Sequence, residues 1–169
     1  MPRRFFALAL LLALTTAAAA APAAPGFRLT TLDSRRAIDS NELIGRKIVV
    51  LRFQASYCKP CAKESTALNR VVERYRGRDV EIIAVHVQDT ATDTRTFMRA
   101  HKVTYAVALD PRLSLGNRFG FKGTPYTVVI DRKGEMVARL AGEGAVRRLP
   151  SMLDKLLAKD ADETAPPRS

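Results

Sequence analysis

Cys58 and Cys61 are the only two cysteines of the chain, and they stand three residues apart in the stretch FQASYCKPCAKE. Cysteines kept for core packing could lie anywhere, whereas this spacing at the start of a helix lets two sulfurs close into a small disulfide ring and reopen from it. The Cys-x-x-Cys pattern therefore indicates redox chemistry or metal binding, unless the spacing is a coincidence.

The position of the pair at the start of a predicted helix favours redox chemistry. Free N–H groups and the helix macrodipole stabilise a thiolate there, so we expect Cys58 to be the acidic, exposed sulfur that attacks and Cys61 to be the more buried, resolving sulfur. Pro60 offers no N–H to the thiolate, which makes the couple more reducing. Lys59 has the opposite effect, but solvent screens its charge. These residues predict a disulfide reductase.

A zinc site would need four ligands, and beyond the cysteines the chain offers only two histidines, His86 and His101. Neither has the spacing of a zinc finger. We therefore predict no metal ligands and no cofactor.

The segments around the cysteines alternate between two periodicities. Apolar runs predict buried strands at 47–53 and 80–87, and helical spacing of apolar residues predicts helices at 58–75 and 92–101. Further along, the sequence predicts a strand at 103–109, a short helix at 113–119, a hairpin around the turn at 131–134, and a final helix that tolerates Pro150 only near its first turn.

Strands that alternate with helices, followed by a hairpin and a closing helix, predict an α/β fold with a central mixed sheet and helices on both faces. The 169 residues, 47% of them hydrophobic, suffice for one core without a disulfide. We assign one domain to residues 24–159 and expect a monomer. The sequence predicts a disordered tail at 160–169, which has little apolar surface to bury.

Residues 1–23 have the pattern of a secretory signal peptide. Arg3 and Arg4 form a basic start, 5–14 is an apolar segment, and 21–23 (APA) matches a cleavage site. An uncleaved membrane anchor is the alternative, because the run from 5 to 21 is close to the shortest spanning helix. Either reading predicts a periplasmic or otherwise extracytoplasmic domain, where disulfides persist.

The chain carries 28 Lys and Arg against 17 Asp and Glu. These basic residues lie in scattered pairs without interleaved aromatic residues, which is typical of a solvated surface. We expect no nucleic-acid partner for an exported protein; acidic partners or anionic lipids are the alternative.

Several motifs together resemble the TlpA-type exported thioredoxins, which include the ResA- and DsbE-like reductases. The matching motifs are FQASYCKPC, Glu64 three residues beyond Cys61, the GTP at 123–125, VVIDRKGEMV, and PGFRLTTLD at the front. The resemblance covers 25–158 and implies a thioredoxin-like fold with an N-terminal extension and a central α/β insert. It also implies that the protein reduces disulfides of exported proteins. Because an oxidising compartment surrounds such a reductase, we expect a membrane thiol carrier to supply its electrons.

The resemblance assigns further site residues. It implies a cis Thr124–Pro125 bond against the sulfurs, where the Thr124 backbone pairs with a substrate segment. The predicted partner-contacting residues are Tyr57, Lys59, Pro60, Thr124 and Tyr126. Reductases of cytochrome c maturation commonly have Glu at position 126, and this chain has Tyr. Apocytochromes, copper-site proteins of a terminal oxidase and general repair all stay open as substrates.

Arg52 departs from the thioredoxin pattern, which has a buried Asp six residues before the first cysteine. A lone buried Arg is costly, so its stem must reach solvent or its charge must find a partner. Glu64 projects under Cys61 from one helical turn away. We predict an Arg52–Glu64 ion pair that keeps Glu64 ionised as a proton acceptor. The predicted catalytic residues are thus Cys58, Cys61, Glu64 and Pro125.

Two other functions remain open for a chain of this resemblance. Exported thioredoxin-like proteins can bind copper with a cysteine pair and a histidine, and His86 ends a predicted strand, so a copper metallochaperone is one alternative. A thiol peroxidase is the other, although it would carry Thr where Ala55 stands. Redox cycling separates the reductase from a copper carrier, whose cysteines need not cycle.

Overall fold

The computed structural model describes residues 21–164. Residues 1–20, which hold most of the predicted signal peptide, lie outside the described part of the chain. In chain order the elements are β1 (Arg28–Thr30), β2 (Ala37–Asp39), α1 (Ser40–Leu43), β3 (Ile48–Gln54), α2 (Lys59–Arg74), β4 (Val80–Val87), α3 (Ala91–Ala100), β5 (Ala106–Asp110), α4 (Ser114–Arg118), β6 (Tyr126–Ile130), β7 (Met136–Ala141) and α5 (Ala145–Thr164).

Five of these strands form one mixed sheet in the order β5-β4-β3-β6-β7. The strands β3, β4 and β5 are parallel to one another, and the hairpin of β6 and β7 joins β3 in antiparallel fashion. Every residue of β3 is buried, as a central strand covered on both faces requires. The predicted α/β fold is confirmed.

Alternating side chains of β3 pack in two separate cores. Val49, Leu51 and Phe53 pack in one core with residues of the N-terminal segment, α1 and α4. Ile48 and Val50 pack in the other core with α2 and α5. This division follows from the period of two along a strand, which sends neighbouring side chains to opposite faces.

The face that carries α2 and α5 becomes polar toward one end of the sheet. In β3 the next residues on this face after Ile48 and Val50 are Arg52 and Gln54, and both are buried. Their neighbours in register are also polar: Thr127 in β6 opposite Arg52, and His86 in β4 opposite Gln54. A row of buried polar side chains thus lies under the loop that follows β3.

The final helix is longer at both ends than the sequence predicts. It begins at Ala145, so Pro150 lies beyond the first turn, because Ala145 and Val146 are buried apolar residues that hold the helix start against the core. The helix continues to Thr164, so the prediction of disorder from residue 160 is wrong for 160–164. Asp160 lies 3.2 Å from Arg132, an ion pair that fixes this end.

An N-terminal segment is part of the folded unit from Pro22 onward. The Pro22 carbonyl accepts a hydrogen bond from Met136 N, and Ala24 N donates to the Gly134 carbonyl, both at 2.8 Å. The segment then crosses the sheet, and Leu32 N donates to the Val107 carbonyl in β5. The predicted domain start at residue 24 therefore falls inside a paired stretch.

Candidate active site

Cys58 is the N-cap residue of α2 and Cys61 lies in its first turn, as the spacing predicts. After β3 the chain turns at Ala55, whose carbonyl accepts a hydrogen bond from Cys58 N at 3.1 Å. The two sulfurs form a disulfide. Cys61 N donates to Cys58 Sγ at 3.2 Å, and a donor in this position stabilises the Cys58 thiolate once the bond is reduced.

Both sulfur-bearing residues are largely buried. Cys58 is 5% exposed and Cys61 is 1% exposed, so the predicted order of burial is correct. The expectation of an exposed Cys58 is wrong for the disulfide form, because Ala55 and Phe97 pack with both cysteines in a small apolar cluster. An incoming sulfur must therefore approach Cys58 at its exposed edge, which is small.

The residues on either side of Cys58 define that edge. Tyr57 is 62% exposed, an unusual exposure for a large aromatic side chain, and Lys59 is also exposed. Pro60 is half-buried in the first helical turn, where a missing N–H costs no intrahelical hydrogen bond. These three positions agree with the partner-contacting role predicted for them, which stays a prediction.

The Thr124–Pro125 peptide bond is cis, as the resemblance implies. Phe53 pairs with Tyr126 in the β3 and β6 register, so Pro125 lies at the same end of the sheet as the loop that carries the cysteines. The Pro125 carbonyl accepts a hydrogen bond from Gly142 N at 2.8 Å. Thr124 is half-buried and Pro125 is buried.

Tyr126 does not reach the surface. Its side chain is 3% exposed and packs with Phe53, Phe119 and Phe121, and its hydroxyl lies 3.3 Å from the Phe119 carbonyl. The first position of β6 turns this side chain into the core that faces the N-terminal segment. We therefore remove Tyr126 from the partner-contacting residues.

Arg52 and Glu64 form the predicted ion pair, with Arg52 Nη2 at 2.7 Å from Glu64 Oε2. Arg52 is 0% exposed, so the alternative in which its stem reaches solvent is wrong. A second guanidinium nitrogen donates to Thr127 Oγ1 at 3.2 Å, and Gly144 N donates to Glu64 Oε1 at 2.8 Å. The ion pair thus ties β3, β6, α2 and the start of α5 together beside the cysteines.

A second polar network, which is not among the features predicted from the sequence, lies beneath the cysteine loop. Asp89 accepts hydrogen bonds from the backbone and the hydroxyl of Ser56, at 2.8 and 2.7 Å. His86 Nδ1 lies 2.8 Å from Asp89, and His86 Nε2 lies 2.9 Å from Gln54 Nε2. The available signal was the pairing of polar Gln54 and His86 at inward positions of two adjacent strands.

His86 is completely buried near the end of β4. Burial lowers its pKa below the usual range, although Asp89 acts in the opposite direction. Its ring packs against Phe97, which itself packs with the cysteines. His86 therefore lies behind an apolar layer, and its ring nitrogens already have hydrogen-bonding partners. His101 is the C-cap residue of α3, with its ring against Phe97.

Within residues 21–164, no three or more His, Cys, Asp or Glu side chains are grouped so that they could hold a metal ion. In the same range no helix has the length and apolar character needed to cross a bilayer. The arrangement that the structure does present is a cysteine pair at a helix start, with an aromatic edge and two buried polar networks. Such an arrangement can exchange disulfides with a thiol or disulfide partner.

Comparison with known proteins supports this chemistry. Residues 21–139 match the model of the AhpC/TSA family. The chain is 30% identical over 133 residues to the thiol-disulfide oxidoreductase ResA of Bacillus cereus, which covers 79% of this chain and 76% of ResA. It is 31% identical over 140 residues to the thiol:disulfide interchange protein HelX of Rhodobacter capsulatus, which covers 82% of this chain and 77% of HelX.

A solved structure shows the same fold. The chain superposes with a TM-score of 0.74 on a thiol:disulfide interchange protein of the thioredoxin family from Chlorobium tepidum, at 22% identity, covering 83% of this chain and 99% of the other. At that identity the likeness shows the thioredoxin-like fold alone.

Proposed function

This chain belongs to the AhpC/TSA family and is a thiol-disulfide oxidoreductase with thiol or disulfide proteins as partners, and from that premise we propose that it works as a reductase outside the cytoplasm. Cys58 and Cys61 are its redox-active pair. The observation that carries the reducing direction is the sparse set of donors around Cys58. Cys61 N is a donor to its sulfur, and Pro60 in the same turn has no N–H to add.

The proposed cycle begins with the reduced pair. The Cys58 thiolate attacks one sulfur of a partner disulfide, the partner's other sulfur leaves as a thiolate, and a mixed disulfide forms. Cys61 then loses its proton and attacks Cys58 Sγ, which releases the partner's second thiolate. The partner gains two electrons and two protons, and the Cys58–Cys61 disulfide seen in the structure is the oxidised product.

Glu64 is the proposed acceptor of the Cys61 proton. It lies one helical turn beyond Cys61, and its carboxylate is held between Arg52 and Gly144 N. The side chain keeps 15% exposure, so a proton can pass from it to solvent. Arg52 positions Glu64 and touches no reacting atom.

The partner side of the proposal follows from the exposed edge. We place Tyr57, Lys59 and Pro60 against the partner, and the Thr124 backbone alongside a partner segment in strand fashion. The proposed partners are exported proteins that carry disulfides, and a membrane thiol carrier returns two electrons to the pair. The proposal includes residues 1–23 as an export signal and a monomeric protein.

A redox titration against a thiol–disulfide buffer of known potential tests the direction. We expect the couple to lie nearer to thioredoxin, at about −270 mV, than to DsbA, at about −120 mV. A potential at the oxidising end would replace the reductase with a disulfide-forming oxidase.

A further inference from the structure

Asp89 is the centre of the polar network under the cysteine loop. Its side chain is only 3% exposed, and four hydrogen bonds end on it. The donors are Ser56 N and Oγ, His86 Nδ1, and Thr90 N at 3.2 Å. Although burial pushes the pKa of Asp89 upward, the hydrogen bonds from His86 and Ser56 outweigh it and hold that pKa below the usual range.

The network fixes the protonation state of His86. Since Asp89 can only accept, His86 Nδ1 carries a proton, and Nε2 of a neutral ring is then free to accept from the Gln54 amide at 2.9 Å. The lowered pKa of His86 agrees with a neutral ring near neutral pH. The pair of Asp89 and His86 thus carries one net negative charge, shielded from solvent.

That charge lies against the loop residue two positions before the attacking sulfur. Asp89 contacts Ser56, and the Cα atoms of Ser56 and Cys58 can be at most about 7 Å apart. The carboxylate also engages both donors of Ser56, which therefore cannot turn toward the sulfur. A buried like charge disfavours a thiolate, and a less stable thiolate makes the couple more reducing.

We propose that Asp89 is a positioning residue for thiol-disulfide exchange, and that its buried charge, fixed by His86 and Ser56, destabilises the Cys58 thiolate and sets the couple toward reduction. This inference rests on the proposed reductase function. Part of the reducing character of the couple then comes from Asp89, which lies outside the Cys-x-x-Cys motif. This contribution adds to that of the missing Pro60 N–H.

The groups that face the pair from other elements do not cancel its charge. Gln54 from β3 and Thr94 from α3 are uncharged. Tyr105 lies beyond Gln54, with its hydroxyl 3.4 Å from the amide, and burial raises the pKa of this tyrosine. Arg52 is the cation of the neighbouring β3 position, and Glu64 already neutralises it. His101 contacts the Phe97 ring, and no hydrogen bond to Asp89 or His86 is seen for it among the described residues.

The test compares Asp89→Asn with Asp93→Asn. The first substitution removes the buried charge and keeps an acceptor for Ser56, and the second removes an exposed charge from the first turn of α3. We expect Asp89→Asn to shift the equilibrium constant with a reference dithiol at least tenfold toward the reduced form, or about 30 mV more positive. The pH profile of Cys58 alkylation should move to lower pH. Asp93→Asn should change the equilibrium constant less than twofold.

An unchanged potential in folded Asp89→Asn, or a shift toward more negative values, overturns the inference. Ser56→Ala keeps the charge and loses the hydroxyl bond, so a shift as large as that of Asp89→Asn would assign the effect to loop order and also overturn it. The wild-type protein provides a check that needs no variant: its His86 ¹⁵N shifts at pH 7 should show the neutral Nδ1–H tautomer, and an Nε2–H or charged ring contradicts the geometry. A wild-type potential near DsbA would defeat the proposed function instead, whatever Asp89→Asn does.

Discussion

Arg52 Nη2 and Glu64 Oε2 are 2.7 Å apart at a point where Arg52 has no access to solvent. The carboxylate contacts Gly144 N with its other oxygen, so one residue of α2 holds both a strand and the loop before α5. A buried guanidinium is stable only with such a partner. The cysteine helix is therefore anchored by a charge pair one turn from Cys61.

Glu64→Gln should destabilise the fold because it leaves the Arg52 charge buried without a counter-charge. We expect a loss of about 3 kcal/mol in the free energy of unfolding, measured by urea denaturation of the oxidised protein. The double variant Arg52→Met, Glu64→Gln should regain most of that loss, since no buried charge remains. A Glu64→Gln protein within 1 kcal/mol of wild type would show that the pair adds little at this site.

Acid should weaken the fold in two separate windows. The pKa of His86 is lowered from 6.5, so the unfolded chain binds the extra proton first and stability falls as the pH drops below about 6.5. The pKa of Asp89 is lowered from 3.8, so its contribution is present above that value and is lost as the pH falls further. His86→Asn should flatten the slope of unfolding free energy between pH 7 and 5. A variant with the wild-type slope would place the pH dependence elsewhere.

Cys61→Ser should strand the mixed disulfide, because the resolving sulfur is gone while Cys58 can still attack. Expressed as the full chain in its own cell, the variant should form discrete adducts on a non-reducing gel that collapse with added thiol. Cys58→Ser is the matched control and should form none, since Cys61 is 1% exposed. Equal adducts from both variants would show that either sulfur can attack, and adducts from Cys58→Ser alone would exchange the assigned roles. Absence of adducts together with tight Cu(I) binding by the wild type would favour a copper carrier.

Two tyrosines near the site should respond in opposite ways. Tyr57→Ala removes an exposed ring and should slow reduction of a protein disulfide several-fold while leaving exchange with a small disulfide and the unfolding free energy nearly unchanged. Tyr126→Phe removes a buried hydroxyl that bonds a carbonyl and should cost about 1 kcal/mol of stability with no effect on partner kinetics. If Tyr126→Phe slowed the reduction of a protein disulfide without a loss of stability, Tyr126 would return to the partner-contacting residues.

The sequence predicts those parts of this fold whose residues follow a regular spacing. Strand β4 has the bounds that its apolar run indicates, and the cysteines lie at the start of α2 as their spacing requires. The Arg52–Glu64 pair was also predictable. A charged residue in a buried run needs a counter-charge, and Glu64 projects from one helical turn after Cys61.

Other features depend on contacts that no local pattern records. The burial of Tyr126 follows from which face of β6 meets the N-terminal segment, and the role of Asp89 from the meeting of two loops at one sheet end. The helical start before Pro150 depends on the burial of Ala145 and Val146. In each case tertiary contacts determine the environment of the residue or the start of the helix, and local secondary-structure propensity alone does not.

The N-terminal segment also protects the sheet from other chains. An unpaired outer strand offers a row of free N–H and C=O groups on which a second molecule can add a strand and begin to aggregate. Here Thr31 bridges Ala108 and Leu32 N donates to Val107, so the outer side of β5 is occupied by the protein's own chain. Deleting this segment would therefore expose the outer N–H and C=O groups of β5 to other molecules, at the edge of the sheet where the folded protein offers them its own chain instead.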